Sequence, residues 1–291
     1  MAEAIDGQAY DFKSGTKPTW CPGCGDYAVL NALHKTLTNL KLEPWRVAVI
    51  SGIGCSSNLP HFLTAYGVHG IHGRALPIAT GLKLANPELT VIGAGGDGDG
   101  YGIGAGHFVH TMRRNLDITY IVMDNQIYGL TTGQASPTSM MKMKTKSTPE
   151  GVIENPINPI ALALASGATF ISRGFSGDAK GLAEIMEAAV RHKGFSLVDV
   201  LSPCVTYNKN NTYDYFRPKV YNLQKENHDV KDIEAAWKKA LEWGDRIPTG
   251  IFYEAEGVPT YEELEPAYKQ GPPLKQRLGI ADPKDLIEEA M

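Results

Sequence analysis

Every cysteine of this 291-residue chain sits in a pattern suited to metal binding. Cys21-Pro22-Gly23-Cys24 offers two thiols on one turn, and Cys55 and Cys204 offer two more from distant segments. A second constellation lies between them, Gly96-Asp97-Gly98 followed further on by Asp124-Asn125. From Gly93 to Gly106 eight of fourteen positions are glycine. Such a run lets backbone N–H groups approach an anion, and the helix that follows adds the positive end of its dipole. The run lacks the Lys-Ser/Thr ending of a P-loop and the spacing of a dinucleotide fingerprint, so ATP and NAD fit less well than a diphosphate. Asp97 and Asn125 are hard oxygen ligands; with diphosphate oxygens and a backbone carbonyl they would complete an octahedral Mg²⁺ site. The plainer alternative is a tight glycine turn with a capping Asp, and an Asn that ends a strand.

Four thiolates suit either an iron–sulfur cluster or Zn²⁺, because tetrahedral sulfur coordination does not separate the two. A helix start beside Cys-x-x-Cys is expected to lower the thiol pKa. A thioredoxin-like pair at Cys21 and Cys24 would leave Cys55 and Cys204 without a role, and any single cysteine can be a plain core residue.

These residues must be positioned by the elements around them. Val47–Ser51, Leu89–Ala94, Ile118–Asp124 and Ser196–Leu201 are continuous apolar runs, the mark of strands covered on both faces. Leu30, Leu33, Leu37 and Leu40 recur at helical spacing, with Asp26 as the expected N-cap. Further helices are predicted at Ala75–Ala85, Gly102–Arg114, Pro159–Ser166 and Ala179–His192. The predicted fold class is α/β, an open parallel sheet flanked by helices on both faces with right-handed crossovers. Cys55, Asp97, Asn125 and Cys204 each follow one of the four predicted strands closely, on the edge where open α/β sheets bind ligands. Residues 129–158 show no periodicity and read as a functional loop or lid. Residues 1–206 are expected to form the binding domain. Residues 207–291 are expected to form an aromatic and polar extension, with a helix around Val230–Trp243, a strand near Gly250–Tyr253 and a Pro-broken tail, packed on the same domain or a partner subunit.

A hydrophobic content of 43% suffices for a full core. A net charge of −4 gives no electrostatic reason to expect nucleic acid or an anionic membrane. Glu3, Asp6 and Asp11 stand where a secretory leader would be basic and apolar. No run approaches the length of a membrane span. The expected location is the cytoplasm, where thiols stay reduced and serve as ligands.

The motifs also carry a resemblance. Gly96-Asp97-Gly98 with Asp124-Asn125 resembles the thiamine diphosphate fingerprint. Cys-Pro-Gly-Cys-Gly-Asp, Gly-Ile-Gly-Cys-Ser, His-Gly-Arg-Ala-Leu-Pro and Tyr-Gly-Leu-Thr-Thr-Gly-Gln-Ala-Ser-Pro-Thr resemble the β subunit of 2-oxoacid:ferredoxin oxidoreductases, from about Thr19 to Tyr207. The resemblance implies that Cys21, Cys24, Cys55 and Cys204 bind one [4Fe-4S] cluster. It implies that Asp97, the Asn125 side chain and the Ile127 carbonyl hold Mg²⁺. Ile53, Gly54, Cys55, Ser56, His72, Gly96, Gly98, Asp99, Gly129 and Leu130 would line thiamine diphosphate. The implied reaction is coenzyme A-dependent oxidative decarboxylation of a 2-oxoacid, with ferredoxin as electron acceptor.

The cofactor needs a carboxylate on its aminopyrimidine ring, which in that family comes from a second domain. The expectation is therefore an obligate α subunit and an (αβ)₂ assembly. The form Cys-Pro-Gly-Cys-Gly-Asp is more similar to the 2-oxoglutarate or broad-range branch than to the pyruvate branch. The expected substrate is 2-oxoglutarate, with pyruvate or a mixed range as runner-up. A zinc-stapled α/β binding subunit without catalysis is the competing class. His72 and Arg74 are candidate catalytic residues that could orient the substrate carboxylate or tune the cluster, and Asn58 and Leu130 are candidate substrate-pocket residues. Met140, Met141 and Met143 among Lys142, Lys144 and Lys146 read as an adaptable basic loop for coenzyme A phosphates or acidic ferredoxin, or as a plain surface loop. The Tyr-rich stretch from Tyr207 to Tyr221 reads as a cluster shield, an α-docking face or ordinary packing.

Overall fold

The computed structural model describes residues 9–276 and residue 284. Glu3 and Asp6 at the start, and residues 277–283 and 285–291 of the expected tail, lie outside the described residues. The strands are β1 (Val47–Ser51), β2 (Tyr66–His69), β3 (Thr90–Gly96), β4 (Ile118–Asp124), β5 (Phe170–Phe175), β6 (Ser196–Leu201), β7 (Val220–Asn222) and β8 (Ile247–Glu254). They form an eight-stranded sheet in the order β2-β1-β3-β4-β6-β5-β8-β7. β1 to β6 are parallel, as expected. The sheet is mixed at its far end, where β8 runs antiparallel to β5 and β7 pairs with β8.

β1, β4 and β6 are buried at every position, which accounts for their unbroken apolar sequence. Alternate residues serve opposite faces. Val47 and Val49 pack towards helices α1 (Asp26–Asn39) and α5 (Ala179–Arg191). Ala48 and Ile50 face a second core shared by α2 (Ala75–Ala85), α3 (Ala105–Arg114) and α4 (Pro159–Ala165). Leu33 and Leu37 of α1 are fully buried, each worth roughly 1.5–3 kcal/mol relative to exposure. The C-terminal segment adds short α6 (Tyr213–Phe216), α7 (Ile233–Ala240) and short α8 (Tyr261–Leu264). Ala236, Ala240 and Phe252 join the second core, so this segment extends the same sheet and interior. Among the described residues no helix is long and apolar enough to cross a membrane.

Asp26 is not the N-cap. It is the first helical residue, preceded by Gly25, and its carboxylate accepts a 2.9 Å hydrogen bond from the Ser202 hydroxyl. A buried partner across the fold outcompetes local capping. Residues 129–158 hold no regular element, yet they are packed down: Lys142 N–H donates to the Val152 carbonyl and Ile157 N–H to the Pro137 carbonyl. Met143 and Val152 are buried against Ile127, with Cys204 alongside. Met140 Sδ accepts from Tyr215 and Asn211. These two methionines are therefore structural, and only Met141 is an exposed apolar contact.

Candidate functional site

β1, β3, β4 and β6 are consecutive neighbours in the sheet. Cys55, Asp97, Asn125 and Cys204 follow their carboxyl ends, so one rim gathers residues from four separate parts of the sequence. The Cys21–Cys24 turn closes on itself through a 3.0 Å backbone bond and is docked on that rim. Gly25 N–H donates to the Pro203 carbonyl (3.3 Å), and Trp20 Nε1 donates to the Cys55 carbonyl (2.6 Å). Burial, then the negative charge of Asp26, pushes the Cys24 thiol well up. The same causes, followed by the charges of Cys204 and Cys21, push the Cys55 thiol up to about 11. The helix start therefore does not lower the Cys24 pKa as expected, because burial and Asp26 outweigh it. Thiolates here need a cationic core to compensate them. Among the described residues no three His, Cys, Asp or Glu side chains converge closely enough for a single metal ion.

Beside the thiols, one pocket is lined by Ile53, Gly54, Cys55, Ser56, His72, Gly96, Asp97, Gly98, Asp99, Asn125, Ile127, Gly129 and Leu130, together with Tyr128 and Thr131. All ten candidate cofactor contacts and the three candidate Mg²⁺ ligands meet there. Gly129 lies close to two of the thiols. A methyl group on it would stand 3.6 Å from Cys204 Sγ and 3.7 Å from Cys55 Sγ. Gly98 allows another close approach, since a methyl there would fall 2.1 Å from the Tyr128 ring. Tyr128 is held by its hydroxyl, which donates to the Gly98 carbonyl at 3.1 Å.

The end of the pocket at Asp97 is short of positive charge. Asp97 and Asp124 are almost wholly buried, and the single Thr138 hydroxyl lies 2.6 Å from Asp97 Oδ2 and 2.9 Å from Asp124 Oδ1. Burial pushes Asp97 up to about 6, against the pull of the Ser136 and Thr138 hydroxyls. Asp124 is pushed well above the usual range by burial and by the charges of Asp97 and Asp199. One hydroxyl proton cannot serve two carboxylates, and a divalent cation at Asp97 would supply the missing charge. The Asn125 side chain accepts from Ile127 N–H at 3.1 Å, folding the turn that brings both residues to the pocket.

Arg74 and Asn58 do not line the pocket. Arg74 Nη1 donates to the Gly73 and Ile103 carbonyls and braces the loop between them. Asn58 donates to the Cys55 carbonyl at 3.3 Å, behind the thiol. His72 does reach the pocket, with Nδ1 2.7 Å from Asp99 Oδ1. Sequence reasoning missed Tyr128 and Thr138 as individual residues. Both belong to the Tyr128–Thr138 motif, whose flanking hydroxyls and glycines carried the signal.

Two family models match the chain. One is "Thiamine pyrophosphate enzyme, C-terminal TPP binding domain", over residues 52–200, and the other is the C-terminal model of the pyruvate ferredoxin oxidoreductase β subunit, over residues 204–270. The chain is 50% identical to the 2-oxoacid:ferredoxin oxidoreductase subunit beta of Saccharolobus solfataricus, covering 93% of this chain and 95% of that protein. It is 35% identical to the 2-oxoglutarate synthase subunit KorB of Methanocaldococcus jannaschii, covering 84% and 90%. A solved structure, "2-oxoglutarate:ferredoxin oxidoreductase from Magnetococcus marinus with 2-oxoglutarate, coenzyme A and succinyl-CoA bound", superposes with a TM-score of 0.90 at 41% identity, over 99% of this chain and 98% of that one.

Proposed function

This chain belongs to the β subunits of the 2-oxoacid:ferredoxin oxidoreductases, and from that premise we propose how its own residues divide the work. The strand-end pocket binds thiamine diphosphate through Mg²⁺ held by Asp97, Asn125 and the Ile127 carbonyl. Cys21, Cys24, Cys55 and Cys204 hold one [4Fe-4S] cluster. The reaction converts 2-oxoglutarate and coenzyme A to succinyl-CoA and CO₂, with ferredoxin taking the electrons. The names of the KorB relative and of the Magnetococcus marinus structure support 2-oxoglutarate.

The observation that carries this reading is that the pocket and the thiols are neighbours: Cys55 and Gly129 both line the pocket, and a methyl group on Gly129 would come within van der Waals contact of Cys55 and Cys204 Sγ. Bound thiamine diphosphate supplies the carbon nucleophile and electron sink for loss of CO₂. The glycine-rich turn at Gly96 to Asp99 presents backbone groups to the diphosphate. Tyr128 seals the turn, and Thr138 orients Asp97. Cys55, which lines the pocket, brings the thiols to its wall for electron transfer. Among the described residues of this chain no Lys or Arg lines the pocket to meet a second substrate carboxylate, and the Arg74 side chain points to the Gly73 and Ile103 carbonyls instead. That contact is assigned to the α subunit, with the pyrimidine-side carboxylate and much of the coenzyme A site, in an (αβ)₂ complex.

Anaerobically purified αβ complex is expected to contain about four iron and four acid-labile sulfide per β subunit; zinc without sulfide removes the oxidoreductase reading. Cys204→Ser should lose the cluster spectrum and viologen reduction while keeping thiamine diphosphate. In a viologen assay with coenzyme A, 2-oxoglutarate should outpace pyruvate, and the reverse order would reassign the substrate. Thr138→Val leaves two buried carboxylates facing each other without their shared hydroxyl. It should raise the Mg²⁺ needed to retain thiamine diphosphate by roughly 10–100-fold, as for other partners that orient metal ligands, and Thr138→Ser should restore it.

A further inference from the structure

We infer that Asp99 is a positioning residue for His72: it fixes the ring so that Nδ1 always carries a proton and Nε2 is the atom that exchanges protons with a molecule in the pocket. The inference deepens the functional reading above and rests on it for the identity of that molecule.

The Asp99 carboxylate is turned into the protein. It is 2% exposed as a residue, and its Oδ1 accepts from three directions: Ile53 N–H at 2.9 Å, Gly73 N–H at 2.7 Å and His72 Nδ1 at 2.7 Å. Backbone N–H groups can only donate, so an oxygen already accepting two of them acts as acceptor towards the ring as well. His72 Nδ1 must then be the donor, and this hydrogen-bond accounting sets the tautomer. Oδ2 is buried without a partner. It lies against the β1 and β3 ends, where a methyl on Gly52 would fall 2.1 Å from it and one on Gly95 3.0 Å from it. Two glycines thus make the slot that holds the carboxylate, and its polar contacts all go to the ring and the two loop N–H groups.

The ring is held on its other sides too. Tyr128 packs edge-on against it at 6.2 Å. The loop on which it rides is closed by Arg74 N–H donating to the Ile71 carbonyl at 2.9 Å, and by the Arg74 side chain reaching the Ile103 carbonyl. The His72 side chain keeps 34% of its surface while that of Asp99 keeps 1%. With Nδ1 committed, Nε2 is the remaining ring nitrogen for the pocket that His72 lines. The step is a proton transfer without electron flow. Neutral His72 accepts a proton at Nε2 from an acidic group of the bound molecule and becomes an imidazolium, countered by the Asp99 carboxylate; the reverse step returns the proton. An aligned carboxylate orients a catalytic imidazole in this way and stabilises its charged form. The same geometry excludes the neutral ring as a donor to a substrate carboxylate, the orienting role that the sequence suggests for His72.

The test uses the αβ complex with ring-¹⁵N-histidine, read by solid-state NMR, with His72 assigned by subtraction of a His72→Gln complex. Wild type should show Nδ1 protonated. Asp99→Asn keeps an acceptor oxygen and the volume, so it should keep that tautomer and lose the counter-charge. Its 2-oxoacid-dependent viologen reduction should fall at least tenfold with thiamine diphosphate content unchanged. Asp99→Ala should lose the Nδ1–H tautomer, and the Asp99→Ala/His72→Gln double variant should be no slower than His72→Gln alone. An Nδ1-unprotonated His72 in wild type overturns the inference. So does full turnover in Asp99→Asn, or an additive double variant. If Asp99→Ala does not assemble, Asp99→Asn alone decides, because it retains the side-chain volume. A wild-type complex that reduces no acceptor with any 2-oxoacid refutes the functional reading instead, and leaves the tautomer result standing.

Discussion

Asp97→Asn in the αβ complex is expected to strip thiamine diphosphate on gel filtration and to lower 2-oxoacid-dependent viologen reduction by at least about a hundredfold, the upper end of what even outer-shell partners of a metal contribute. The substitution keeps the volume and the Thr138 contact but removes the charge of the proposed Mg²⁺ ligand. The opposite sign is expected for the stability of the cofactor-free complex. Burial raises Asp97 from the usual carboxylate range to about 6. A carboxyl whose folded pKa is raised favours the folded state while protonated, and that contribution is lost as pH rises from about 4 to about 6. The melting temperature of Asp97→Asn should therefore exceed that of wild type by a margin that grows across this window and stays constant above it. A side chain that costs stability and confers binding is the signature of a functional carboxylate. Retained thiamine diphosphate and unchanged turnover in Asp97→Asn would assign the metal elsewhere.

How much of this was legible in the sequence depends on what each residue contacts. β1, β4 and β6 are covered on both faces, so their apolar runs announce them directly. β5 was missed because Phe-Ile-Ser-Arg-Gly-Phe interrupts its apolar run with Ser172 and Arg173. Both are buried by partners remote in sequence: Ser172 donates to the Leu197 carbonyl at 2.8 Å, and Arg173 pairs with Asp199. β2 was missed for the opposite reason, since all four of its residues are exposed on the sheet edge and carry no hydrophobic pattern. At the site, a backbone-encoded feature such as Gly98 was readable, because a side chain there would run into the Tyr128 ring. What a polar side chain does was not. Asp26 looks like a cap and is a cross-fold hydrogen-bond partner, Asp99 lines the pocket as expected but also grips His72, and Arg74 looks like a carboxylate clamp and braces a loop.

The strongest stability effect is expected at Arg173, far from any residue that the motifs single out. Arg173 and Asp199 stand directly opposite each other on β5 and β6, 2.9 Å apart from Nε to Oδ2 and both essentially without solvent. Asp199 Oδ1 takes the Tyr101 hydroxyl at 2.9 Å, and the guanidinium lies 5.2 Å from the Trp243 ring centroid and 5.7 Å from that of Phe252. This group stitches the parallel core to the C-terminal segment. Arg173→Met keeps most of the packing but leaves Asp199 as a buried charge without its counter-ion, which should destabilise the fold by about 3–5 kcal/mol. For a chain of this size that is a fall in melting temperature of roughly 10 °C. The double variant Arg173→Met/Asp199→Asn removes both charges and should recover more than half of the loss, because most of the cost is the orphaned carboxylate rather than the missing attraction. Equal melting temperatures for the single and double variants would show that the aromatic contacts of the guanidinium, not its charge pairing, hold β5 and β6 to the C-terminal segment. The cofactor site should register the same change, since the Arg173 charge acts to lower the pKa of Asp124. Its loss leaves Thr138 beside a carboxyl even less able to ionise, so Arg173→Met should also alter the Mg²⁺ dependence of cofactor retention, an effect of charge transmitted through a buried network and measurable well below the melting transition.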